Sequence, residues 1–98
     1  MTRHLDRKPE GCKLLRVEVE IEGKRLVAAR VRGDFFAHPE ELFEAAEAEL
    51  AGLALSALPQ AARAAFSRPG LRLYGVTPEA IADTVFEACG GGDATEAP

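Results

Sequence analysis

Cys12, Cys89, His4 and His38 are the residues of this chain most suited to nucleophilic chemistry or metal binding, and no two of them stand at the close spacing of a zinc site. Cys12 lies between Lys8 and Lys13, whose charges favour a thiolate, yet neither histidine is placed by sequence to serve as its base. Cys89 falls on an apolar helical stripe and reads as core. Glu40, Glu41, Glu44, Glu47 and Glu49 raise the idea of paired carboxylates for acid-base work, but acids on an exposed helix face ordinarily serve solubility. Gly90-Gly91-Gly92 follows a helix rather than joining a strand to one, so it reads as a cap and linker and not as a phosphate cradle. Gly33-Asp34-Phe35-Phe36 stands apart. Its adjacent aromatics project in different directions, so one ring can enter the core while the other faces a partner, or both can cap the core. The sequence holds candidates for charge and contact, and no complete catalytic apparatus.

The composition bounds the size and the charge of the molecule. Ninety-eight residues with 47% hydrophobic content suit one domain with one core. The net charge of -4 conceals an asymmetry. Residues 1–33 carry nine Lys or Arg against five acids, and residues 34–98 carry three against eleven, giving balances of +4 and -8. A basic front of this size suits a phosphate-bearing ligand or an acidic protein surface, whereas strong nucleic-acid binding calls for a more basic domain. No apolar run approaches the length of a membrane span, and the charged start lacks an apolar export segment. The expectations are a cytoplasmic location, reduced thiols, and neither nucleic acid nor membrane as partner.

These residues need a scaffold, and periodicity supplies most of it. Residues 1–12 are charged, contain Pro9 and Gly11, and read as an extended arm leading into the fold. From Leu14 the chain alternates, with Leu15, Val17, Val19 and Ile21 on one side and Arg16, Glu18, Glu20 and Glu22 on the other, the pattern of a half-buried strand. A three-residue loop, Ile21-Glu22-Gly23, sets Val17 opposite Val27, and a second strand over 24–32 buries Val27, Ala29 and Val31. Pro39 opens a helix with Phe43, Ala46, Leu50 and Leu53 inward and Glu40, Glu44 and Glu47 on the wet face. A second helix spans 56–66, capped by Ser56, and residues 71–74 form a short third strand. Thr77 caps the last helix, whose core side is Ile81, Val85 and Cys89. The fold class expected is α+β, a small antiparallel sheet of two to three strands with about three helices on one face. The domain occupies 13–90, and 91–98 is expected to be a disordered tail.

With these elements in place the chain resembles the C-terminal accessory domain of lipoate-protein ligases, including its stand-alone small-subunit form. The likeness runs from Lys8 to Cys89. It begins in Lys8-Pro9-Glu10-Gly11-Cys12-Lys13-Leu14, where Cys12 replaces a second glycine and the proline is displaced by one. It is most specific in Gly33-Asp34-Phe35-Phe36 followed by Pro39-Glu40-Glu41-Leu42. Leu50-Ala51-Gly52-Leu53 and Tyr74-Gly75-Val76-Thr77-Pro78-Glu79 continue it. The resemblance implies an accessory subunit that docks on a catalytic ligase subunit and enables ATP-dependent formation of lipoyl-adenylate. Lipoate, ATP and magnesium would sit on that partner, with none bound by this chain alone. The lipoyl acceptor domain is a second candidate partner. Lys8, Gly11 and Lys13 are the candidates for approach to the adenylate, and Gly33, Asp34, Phe35 and Phe36 for docking. Two other classes remain open on the residues alone: a binding or scaffold module in cofactor assembly unrelated to lipoate, and a self-sufficient hydrolase or transferase using Cys12.

Overall fold

The alternation after Leu14 forms a strand whose apolar side, Leu15, Val17, Val19 and Ile21, is buried, as the half-buried pattern requires. It is the middle of a three-stranded antiparallel sheet, β1 (Thr2–Arg7), β2 (Leu15–Glu22) and β3 (Arg25–Gly33), in the computed structural model, which describes residues 1–90. The tail expected over 91–98 lies outside the described residues.

The amino-terminal segment is a correction to the expected arm. Thr2–Arg7 pairs along β2, with Arg3 opposite Val19 and Leu5 opposite Val17. Leu5 is its one residue packed on the core, too little apolar content to reveal a strand by pattern. The free edge of β2 supplies the backbone partners that make it one. Arg7 is further tied to α3 (Pro78–Ala88), where its guanidinium donates to Glu87 Oε1 at 2.6 Å.

The hairpin register also differs from the expectation. Glu22 pairs with Arg25, so Gly23 and Lys24 form a two-residue turn and Val17 faces Val31 rather than Val27. A bulge follows, with Glu20 opposite Ala28 and Ile21 opposite Leu26. Val27 is the extra residue and is exposed, while Leu26 turns into the core in its place. A bulge of one residue exchanges the faces beyond it, and strict alternation cannot register that.

The remaining elements are β4 (Phe36–His38), α1 (Glu40–Ala48), a short 3-10 turn (Leu55–Ala57), α2 (Leu58–Phe66), β5 (Arg72–Tyr74) and α3. The short strand expected at 71–74 exists, but it pairs with β4 in a separate two-stranded ribbon and not with the main sheet. Pro39, joined to His38 by a cis peptide bond, is the residue before α1 and not its first. Ser56 lies within the 3-10 turn and makes no cap, and Ala57 precedes α2. Thr77 does cap α3, its hydroxyl oxygen accepting the Ala80 N–H at 3.0 Å.

The helices cover one face of the sheet. α3 lies over β2 and β1 with α2 beside it, and α1 rests against β3 and β4. Between them Leu15, Leu26, Leu50, Leu58, Phe66 and Ile81 are fully buried. Thr84, the buried polar residue of the core, donates its hydroxyl to the Ala80 carbonyl at 2.7 Å, so no polar atom there is left unpaired. Glu47 departs from its expected wet position. Its carboxylate accepts the Val31 N–H at 2.6 Å and Arg32 at 2.8 Å, closing part of the outer edge of β3. Leu26 and Gly52 to Leu53 close more of that edge through N–H to carbonyl bonds of 2.9 and 2.7 Å.

Candidate functional site

Pairing of Leu15 with Gly33 brings the entry to β2 against the exit from β3. The Asp34 N–H donates to the Leu14 carbonyl at 3.1 Å. Gly33 sits so close that a Cβ there would lie 2.1 Å from the Leu14 carbonyl oxygen, a distance no side chain tolerates. Only glycine permits this approach, at a φ of 151°. The glycine-aspartate turn thus has a structural reason that does not depend on any partner.

A third segment joins from far along the chain. The Lys13 N–H donates to the Gly75 carbonyl at 2.7 Å, and a Cβ on Gly75 would stand 2.8 Å from Lys13 Cγ. The bare α-carbon of Gly75, with φ of 87°, is what lets the Lys13 stem lie across it. The next residue back, Tyr74, pairs with Phe36 in the β4–β5 ribbon. Phe36 is 76% exposed and Tyr74 53%, so two aromatic side chains stand in solvent beside an exposed lysine.

The two phenylalanines divide, and do not both cap the core. Phe35 turns inward and meets Phe43 at a ring separation of 5.6 Å, and Phe43 meets Phe66 at 5.2 Å. Such tilted pairs contribute about 0.5–1.5 kcal/mol each beyond the area they bury, which fixes Phe35 and leaves Phe36 facing outward. Lys13, Gly33, Asp34, Phe35 and Phe36 therefore share one end of the molecule. Lys8 and Gly11 do not join them through any hydrogen bond or ion pair among the described residues. Both are exposed, Lys8 just past β1 and Gly11 in a turn closed by the Cys12 N–H on the Pro9 carbonyl at 3.0 Å. Tyr74 and Gly75 were not among the site residues expected. Their signal in the sequence is weak, one tyrosine ahead of a glycine on a three-residue strand.

Beside Phe36 a cleft of about 590 Å³ opens between the end of β3, β4 and the first turns of α1. Val31, Phe35, Ala37 and Phe43 give it apolar lining, Glu40, Glu41 and Glu44 give it acids, and Arg32 and His38 lie at it as well. This end of the chain thus presents a cation at Lys13, two exposed aromatic side chains and the carboxylates of the cleft.

Elsewhere the thiols are withdrawn from solvent. Cys12 and Cys89 are both buried free thiols, and neither bonds to a histidine among the described residues. Burial pushes the Cys89 thiol up to about 11, against a smaller opposing pull from Arg3. No group of three His, Cys, Asp or Glu that could hold a metal occurs among the described residues. None of the described helices is long and apolar enough to cross a membrane.

No protein-family model matches the chain, and no curated protein matches it either. Among solved structures, it is similar to a chain of an archaeal lipoylation system from Thermoplasma acidophilum, a bipartite lipoate protein ligase with its E2 lipoyl domain. The two are 25% identical and superpose with a TM-score of 0.68 over 87% of this chain and 92% of that one. The likeness spans most of both chains, so it concerns the fold, and it supports a role connected with lipoylation.

Proposed function

We propose that this chain is the accessory, non-catalytic component of a two-part lipoate-protein ligase. It docks on the catalytic component and enables that chain to form lipoyl-adenylate from lipoate and ATP. The observation that carries the reading is the likeness, over 87% of this chain, to a chain of the archaeal bipartite ligase system. The exposed Phe36 and Tyr74 beside Lys13 give that reading a surface with which to act.

In this proposal Phe36 is the docking anchor, since a large exposed aromatic held by a buried neighbour loses little freedom on binding. Lys13, steadied over Gly75, supplies a point charge toward the adenylate phosphate or the edge of its pocket, with Lys8 as a second cation on the neighbouring segment. Docking over the pocket also excludes water from a reactive mixed anhydride, which would otherwise hydrolyse. Lipoate, ATP and magnesium belong to the partner in this scheme.

The test is an assay of lipoyl-adenylate formation by the catalytic ligase chain with and without this protein. Adenylate should form at a useful rate only when both are present. Full-rate formation by the catalytic chain alone, or failure of the two to associate, would end the proposal. Lys13→Ala should lower the rate while leaving association intact.

A further inference from the structure

We propose that the acid-rimmed cleft beside Phe36 seats a lysine- or arginine-bearing segment of the catalytic ligase chain, and so fixes the orientation in which the two components meet. This rests on the function proposed above and adds to it the place and the charge of the contact.

The cleft combines an apolar lining that includes Phe35 and Phe43 with an exposed aromatic lip, Phe36, and three carboxylates, Glu40, Glu41 and Glu44; Arg32 and His38 line it too, but the Arg32 charge is matched by Glu47, so the acids set the balance. Exposed large hydrophobic side chains flanked by charges are the ordinary make-up of a docking site. The acids here are not consumed by the fold. Among the described ion pairs, α1 uses only Glu47 with Arg32, while Glu49 just past its end binds Arg68, and none involves Glu40, Glu41 or Glu44. The helix dipole accounts for Glu40 and Glu41 in the first turn, but it fades beyond that turn and leaves Glu44 without a structural reason.

Sign then selects the occupant. Three free carboxylates around an apolar floor repel a nucleotide or an acidic surface and attract a cationic segment with apolar flanks. Lys13, held against Gly75 next to Tyr74 and absent from the cleft lining, has the opposite preference. A partner surface that matches this end places its basic residues at Glu40 to Glu44 and its anionic site at Lys13, and a reversed orientation is rejected by like charges at both ends.

Binding of the purified chain to a catalytic lipoate-protein ligase chain from the same source is measured by titration and by stopped-flow association, at low and high salt. The variants are E40Q/E41Q/E44Q, which keeps the helix formers in place, Phe36→Ser, and E79Q/D83Q on the exposed side of α3 as control. Circular dichroism and melting confirm that each folds. The triple variant should weaken binding at least about tenfold, chiefly through slower association, and should lose most of the salt dependence of the wild type. Phe36→Ser should weaken it through faster dissociation, and the control should bind like the wild type.

Absence of any binding by the wild type removes the proposed function and this inference together. Binding by the wild type with less than twofold change in the triple variant overturns the inference and leaves the function standing. Loss of self-association, or of binding to an isolated lipoyl domain, while ligase binding persists, assigns the cleft to another occupant and equally overturns it.

Discussion

Lys13 and Gly75 meet through backbone and side chain alike: the backbone amide of Lys13 donates to the Gly75 carbonyl at 2.7 Å, and the lysine stem crosses the place where a β-carbon would be. This contact ties the start of β2 to the end of β5 and sets the exposed lysine beside Phe36 and Tyr74.

Gly75→Ala should therefore destabilise the fold by about 1–3 kcal/mol, from the strain of a positive φ and the displaced lysine. In a domain of this size each kcal/mol lowers the melting temperature by about 4–8 °C. Gly33→Ala should cost more, because its β-carbon meets a backbone oxygen rather than a side chain that can move. Thermal melts of the two variants check the order, and a milder effect at Gly33 would contradict the geometry.

Glu47 is tested by separating its two roles. Glu47→Ala leaves the Val31 N–H without its acceptor and should cost about 1.5–3 kcal/mol, the range for hydrogen bonds to charged groups. Glu47→Gln keeps an acceptor for that amide and loses only the charge facing Arg32, whose side chain is 60% exposed, so its cost should stay below about 1 kcal/mol. Glu44→Gln, on the same helix but without a partner, should be neutral in urea denaturation. Equal losses at Glu47→Gln and Glu47→Ala would assign the stabilisation to the ion pair instead.

Cys89 predicts an alkaline limit. Its thiol ionises at about 11 in the folded chain, against an ordinary value of 9.0. Below pH 9 both states keep the proton and the contribution is constant. As pH rises from 9 toward 11 the unfolded chain loses that proton and the folded one does not, so stability falls, and above 11 it levels. The fall should shrink in Cys89→Ala when the two pH profiles are compared. Parallel profiles between pH 9 and 11 would show that burial of this thiol is not what opposes its ionisation. In the folded protein at neutral pH, thiol-specific reagents should act slowly on both buried cysteines.

The local signals in the sequence were strong where one element carried them complete. β2 is legible because four apolar residues alternate with four charged ones, and α3 because Thr77 and Pro78 mark its start and Ile81 and Val85 its stripe. The Gly33 to Phe36 segment was legible for the same reason, since a turn and two adjacent rings of opposite direction are local properties. β1 was not, because its single core residue, Leu5, leaves nothing periodic to read, and only the neighbouring edge of β2 makes it a strand. The bulge at Val27 was invisible because it arises from how two strands fit over the core and not from either strand alone.

By itself, then, the sequence determined the α+β class, the middle strand, the capped last helix, and the lack of a closely spaced metal or nucleophilic motif. Periodicity, capping and spacing act over a few residues and are written in order along the chain. The tertiary structure alone decided that Lys13 lies against Gly75, that Phe36 stands beside Tyr74, and that Glu47 serves the sheet while Glu44 does not. Those relations depend on packing between segments distant along the chain, where the burial of one face selects which backbone groups meet, and no local pattern encodes that choice.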